Sequence, residues 1–197
     1  MSLSSANIID VGDVLVVGAG LAGLFTALKL SPRPVTILSG QKRTKGSASK
    51  WAQGGIAAAM GADDHADYHA RDTITAGAGL VDPEIATMVA NDAAARIADL
   101  AEFGVSFDKD AQGQLRLGRE AAHSHNRIIG IRGDRAGREI MATLIARAEA
   151  TPSLNFIEGF AAYELAIEDG RVVGVFARPA NKTSLAADRW SKLPILC

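Results

Sequence analysis

A short run rich in β-branched residues, Asp13-Val14-Leu15-Val16-Val17, opens the patterned part of the chain and reads as a buried strand of a parallel sheet. Three glycines within six positions follow, and Leu24 to Leu30 continues at helical spacing until Pro32 and Pro34 stop it. Val35 to Leu38 supplies a second strand and completes a β-α-β unit. Residues 40–55 are rich in Gly, Ser and Lys and read as a long functional loop, with an apolar, helix-like run after it. Two helices are expected at about 64–75 and 83–103. The second places Ile85, Met88, Val89, Ala93, Ile97 and Leu100 close to one face, with Gly104 as its stop. Short irregular strands at 105–107, 114–117 and 127–129 lead to a helix from an Asp134 N-cap through Ala150. Phe156 to Glu158 is a further strand, and 162–167 with 172–177 about Glu168-Asp169-Gly170 predict a β-hairpin. After Arg178 the pattern fails: 179–197, with Trp190 and Ile195, carries no strand or helix period and no caps.

Composition narrows the class. The chain has 197 residues, 48% of them hydrophobic and 22% charged, which suits a globular protein with a real core. A net charge of -1 without a basic face argues against nucleic acid as a partner. The single cysteine, Cys197, excludes a disulfide framework. The start, Met1 to Asp13, lacks the basic and apolar regions of a signal peptide, and 14–30 is too short and glycine-broken to span a bilayer. The expectation is a cytoplasmic protein without membrane association.

Candidate chemistry begins at Gly18-Ala19-Gly20-Leu21-Ala22-Gly23, which follows a strand and opens a helix. In that setting the first glycine permits a tight turn, the second admits a pyrophosphate, and the third lets helix pack on strand. The helix N-terminus favours the phosphate charge. Strand two ends in Ser39-Gly40 instead of the usual carboxylate for the ribose. Lys42, Arg43 and Lys45 nearby offer cations for a 2′-phosphate, so this motif leaves FAD and NADP both open. His65 and His69 stand at i, i+4 without a third ligand pattern, so no metal is expected. Arg127, Arg132, Arg135 and Arg138 form a basic cluster, for a dicarboxylate, cofactor phosphates or a solvated face.

The fingerprint, then Trp51-Ala52-Gln53-Gly54-Gly55-Ile56-Ala57-Ala58, then Gly118-Arg119-Glu120-Ala121-Ala122-His123-Ser124, resembles the flavoprotein family of succinate dehydrogenase and fumarate reductase, in its aspartate-oxidising branch. Asp72 to Gly79 and Asp134-x-x-Gly137-Arg138-Glu139 look like further landmarks, and the likeness covers about residues 13–178. The resemblance implies an α/β fold: a Rossmann-like FAD-binding domain with a parallel sheet and β-hairpin, truncated before the capping domain. It implies an FAD-binding portion at 1–178 and an irregular, frameshift-like tail at 179–197.

For the cofactor, the resemblance implies that Gly54-Gly55 passes along the flavin ring with Gln53. Ser47 and Ser49 suit the pyrophosphate, Ala48, Lys50, Trp51 and Ala52 complete the wrapping segment, and Ala161-Ala162 meets the adenine. Succinate dehydrogenases carry a flavin-linked histidine near the position of Ala48, so FAD is expected to be noncovalent. Glu120 corresponds to the acidic residue that orients the substrate's amino group, with His123 and Ser124 as substrate contacts or support. Ala136 replaces the family's usual threonine. The implied activity is oxidation of L-aspartate to iminoaspartate, with oxygen or fumarate as acceptor and quinolinate synthase next on the route to NAD. The resemblance implies that the main catalytic arginine belongs to the capping domain and is expected to be absent from this chain. A catalytically inactive FAD-binding fragment, a related fumarate reductase or succinate dehydrogenase type flavoprotein, and a small NADP-binding protein are the alternatives.

Overall fold

Val14–Val17 and Val35–Ser39 form the first two strands of a parallel sheet, as their apolar runs predict, in a computed structural model that describes residues 9–43, 47–180 and 193–196. The chain divides into two compact units, residues 1–49 with 144–197 and residues 50–143. In chain order the strands are β1 (Ile9–Asp10), β2 (Val14–Val17), β3 (Val35–Ser39), β4 (Ile56–Ala57), β5 (Leu117–Gly118), β6 (Ile128–Ile129), β7 (Leu154–Glu158), β8 (Phe160–Glu168), β9 (Arg171–Pro179) and β10 (Leu193–Leu196). The α-helices are α1 (Leu21–Leu30), α2 (Ala66–Ala76), α3 (Pro83–Glu102) and α4 (Ala136–Glu149).

In the first unit, β2, β3 and β7 lie side by side and parallel, with Val16 opposite Ile37 and Ile37 opposite Phe156. Val35, Thr36, Ile37 and Leu38 are all buried, because this strand is covered on both faces. Helix α1 lies against β2 and β3 and buries Leu24, Ala27 and Leu28. On the other face Leu15, Leu38 and Ile157 meet Val175, Ala177 and Ile195 of a second sheet ordered β1-β10-β9-β8. The hairpin β8–β9 turns through Asp169 (φ +48°) and Gly170 (φ +76°), the paired left-handed geometry that matches strand twist.

The segment expected to be irregular after 178 contains a strand. β10 pairs antiparallel with β9 and parallel with β1, and Ile195 is fully buried. Four residues are too few to show alternation, and Pro194 speaks against a strand by its missing N–H. Trp190 and Cys197 lie outside the described residues.

In the second unit, α2 packs on α3, and β4, β6 and β5 form a small antiparallel sheet. The run after Gly55 was expected to be helix-like; Ile56–Ala57 instead pairs with Ile128–Ile129. Asp82 caps α3 by accepting from Glu84 N–H and Ile85 N–H, and Pro83 occupies the first turn, where no intrahelical donor is needed. Gly104 (φ +106°) ends the helix. The buried face of α3 differs from expectation: Ala86, Ala90, Ile97 and Leu100 are buried, while Ile85, Met88 and Val89 are exposed. Small residues fill positions where two helices approach closely, and an alanine-rich helix offers more than one apolar frame. Residues 105–107 form no strand, although Val105 and Phe107 are buried. Arg135, not Asp134, immediately precedes α4.

Candidate functional site

The glycine motif sits where β2 hands over to α1. Gly18 has φ +111°, a conformation that side chains rarely adopt. A Cβ on Gly23 would collide with the Gly18 carbonyl oxygen, so that glycine is required by the close pass of helix and strand. A Cβ on Gly20 would stand 3.6 Å from Ser49 Oγ and 3.7 Å from Ser47 Oγ, in ordinary contact. Packing therefore does not require its bareness, and an open space lies beside it. That space is a cleft of about 350 Å³ lined by Ala19, Gly20, Ser39, Gly40, Ser47, Ala48 and Ser49, with Gln41, Lys42 and Arg43.

The first amides of α1 have no intrahelical acceptor, a ready anion site. Leu21 N–H donates to Ser49 Oγ at 3.3 Å, which holds the serine segment at the helix start. Ser39 Oγ donates to the Gln41 carbonyl at 2.8 Å and keeps its lone pairs for accepting a hydroxyl. Gly40 stands beside Ala161, with 3.7 Å from its added Cβ to that side chain's Cβ. Ala162 instead packs against the core between the two sheets. Of these residues of the first unit, Gly20, Ser39, Gly40, Ser47 and Ser49 line one cleft.

Among the described residues of the basic loop, Arg43 is held by carboxylates. Arg43 donates through Nε to Glu149 Oε1 at 2.8 Å, pairs through Nη1 with Glu158 Oε1 at 2.9 Å, and stacks 4.5 Å over the Phe156 ring. The hydrogen bond to Glu149 leads in holding its guanidinium above its ordinary pKa. Its charge is committed to carboxylates. Lys42 is exposed, and Lys45 lies outside the described residues.

Ala48–Trp51 forms a short 3-10 turn, and Trp51 is 75% exposed. In the second unit Ala52 O accepts from Gly137 N–H at 3.0 Å. The glycine pair divides its roles. A Cβ on Gly55 would collide with the Ile129 backbone, so this glycine is required by the pairing of β4 with β6. Gly54 has open space around it, and Lys50, Gln53 and Gly54 are exposed. Gly54 is thus the one of the pair whose bareness the packing of the described residues does not require.

Glu120, His123 and Ser124 share one turn between β5 and β6, closed by His123 N–H donating to Glu120 O at 3.0 Å. Glu120 is exposed. Behind the turn lies a charged network that the sequence reading missed. Arg127, fully buried, donates to both oxygens of Asp64 and to Asp72 Oδ2. Ser124 donates to Asp72, and His125 stacks on Tyr68 with ring centroids 5.1 Å apart. His69 meets His123 edge to face at 5.6 Å. Burial first, then Arg127 and His123, lower the His69 pKa. Arg127 therefore leaves the expected arginine cluster: Arg132 faces Glu139 at 3.8 Å, while Arg135 and Arg138 are exposed. His65 caps α2 by accepting from Asp67 N–H. The absence of any signal for the network has a simple cause, since Asp64 and Asp72 are more than fifty residues from Arg127.

A family model described as "FAD binding domain" matches residues 13–189. An L-aspartate oxidase of Mesorhizobium japonicum is 41% identical over 183 residues, covering 89% of this chain and 36% of that protein. That of Agrobacterium fabrum is 39% identical, with 87% and 34% covered, and that of Bacillus subtilis 38%, with 85% and 31%. Among solved structures, the Mycobacterium smegmatis Sdh1 complex in the apo form superposes with a TM-score of 0.80 at 26% identity, over 88% of this chain and 32% of its own. An E. coli quinol fumarate reductase gives a TM-score of 0.80 at 22% identity, over 87% and 30%, a likeness of fold. The chain spans about a third of the length of the curated relatives it matches.

Proposed function

The chain belongs to the FAD binding domain family, and on that premise we propose that it is the flavin-binding portion of an enzyme that oxidises L-aspartate to iminoaspartate. The observation that carries the substrate reading is 38–43% identity to L-aspartate oxidases over most of the chain. The cofactor is FAD, and the cleft at the start of α1 fits it. Gly18, Gly20 and Gly23 admit the pyrophosphate to the helix N-terminus, with Ala19, Leu21 and Ala22 lining the turn. Ser47 and Ser49 supply hydroxyls, Ser39 and Gly40 receive the ribose, and Ala161 borders the adenine. Gln53 and Gly54 are the ring contacts of this reading.

The chemistry that FAD supplies when bound is acceptance of the hydride leaving the aspartate Cα. The amine gives up a proton as the imine forms. Glu120 binds the substrate ammonium and so selects an amino dicarboxylate over fumarate, which has no such group. His123 and Ser124 contact the carboxylates. Oxygen or fumarate is the terminal acceptor, and quinolinate synthase takes the product. A cytoplasmic location belongs to the same reading, supported by the single cysteine. Among the described residues no helix is long and apolar enough to cross a membrane.

The test is anaerobic addition of L-aspartate to the FAD-loaded chain. A shift of the flavin band by L-aspartate, with none by succinate, is expected, since the arginine that the resemblance assigns to turnover lies in the capping domain. A flavin band that L-aspartate leaves unchanged would overturn the substrate reading and leave a flavin-binding portion alone.

A further inference from the structure

The hydrogen bonds that moor the turn of Glu120, His123 and Ser124 to helix α2 meet at one carboxylate oxygen. Asp72 Oδ2 accepts from Ser124 N–H at 2.7 Å, from Ser124 Oγ at 2.8 Å and from Arg127 Nη1 at 2.9 Å. Ser124 Oγ has one proton and gives it to Asp72, so its contact with His125 Nδ1 at 2.9 Å is accepted from the imidazole N–H. The anchor cannot swing. Arg127 also donates through Nε and Nη2 to Asp64 at 3.0 and 2.8 Å, and its side chain is fully buried.

We propose that Asp72 is the positioning residue of this turn: its carboxylate fixes where Glu120 and Ser124 stand and thereby sets the affinity for the amino dicarboxylate, without touching the ligand. The inference rests on the reading of Glu120, His123 and Ser124 as substrate contacts. Its physical basis is the concentration of bonds. Ser124 is exposed, and its backbone N–H donates to a side chain instead of to a neighbouring strand. Charge-assisted bonds of this kind are about twice as strong as neutral ones. Burial works to raise the Asp72 pKa, and the bonds from Ser124 and Arg127 outweigh it, so the group is anionic at neutral pH.

Two variants of the whole chain, Asp72→Asn and Asp72→Ala, test this by amide exchange and by ligand response. In Asp72→Ala, exchange at Ser124 is expected to quicken by about tenfold or more. Leu24 N–H, bonded to Gly20 O, and Val105 N–H, bonded to Leu100 O, should keep their rates. General unfolding would quicken all three together and would contradict a positioning role. In FAD-loaded Asp72→Asn, the L-aspartate concentration for half-maximal flavin response should rise by about tenfold or more, at unchanged FAD affinity. Unchanged Ser124 exchange in Asp72→Ala overturns the proposal. So does an unshifted aspartate response where Ser124 exchange has changed. No aspartate response in the unmodified chain is failure of the proposed function, and Ser124 exchange then decides the anchor by itself.

Discussion

Gly20 and Gly23 lie three positions apart in one motif and answer to different constraints. Gly23 is packed against the Gly18 carbonyl, so Gly23→Ala should cost at least about 2 kcal/mol in urea unfolding. Gly20→Ala adds a methyl in ordinary contact with two serine hydroxyls and should cost under about 1 kcal/mol. Yet it should weaken FAD binding by about tenfold or more, because the methyl enters the space left for the pyrophosphate. A fluorescence titration beside each unfolding curve separates the two effects. Equal loss of stability in both variants would contradict this division. At Arg127 the expected effect is larger. Arg127→Met leaves the fully buried side chain of Asp64 without its cation and should cost about 3–5 kcal/mol by the same unfolding measurement. The lowered pKa values of His69 and Asp72 predict acid sensitivity in separate windows. His69 resists protonation when folded, so stability should fall as pH drops through its ordinary value near 6.5, where the unfolded chain takes up the proton. The Asp72 contribution is present above its ordinary 3.8 and is lost as pH falls through its lower folded value. Melting temperature against pH should show both steps, and His69→Asn should remove only the upper one.

At the scale of elements, sequence signals were strongest where a local rule leaves one answer. Strand, glycine turn and helix at 14–30 follow from β-branching and the motif. The hairpin follows from alternation about Asp169-Gly170. The Asp82-Pro83 start of α3 is equally local, and Asp82→Ala should cost about 1 kcal/mol, read as a shift in the urea midpoint. The buried frame of α3 was not legible, because Ala86 and Ala90 compete with Ile85, Met88 and Val89 for the inward face and only the packing partner decides. β10 was hidden for a related reason: four residues with a proline carry no readable period, and β9 selects them by pairing. The glycine pair shows the same limit within the site. Its presence marked a functional segment, but that Gly55 yields to β6 while Gly54 stays open depends on a strand more than seventy residues away.

For the molecule as a whole, each compact unit carries one half of the reading. The first holds the cleft at the head of α1 that we propose for FAD, and the second holds the turn of Glu120, His123 and Ser124 on its buried charge network. Identity to L-aspartate oxidases extends over both. FAD binding to the folded chain should also raise the melting temperature in a concentration-dependent way. The most direct measurement of the central claim is the visible absorption spectrum of the chain after mixing with FAD and desalting. A retained flavin band, lost in Gly20→Ala at undiminished fold, is the result predicted here. A wild-type chain that emerges folded and colourless would contradict it.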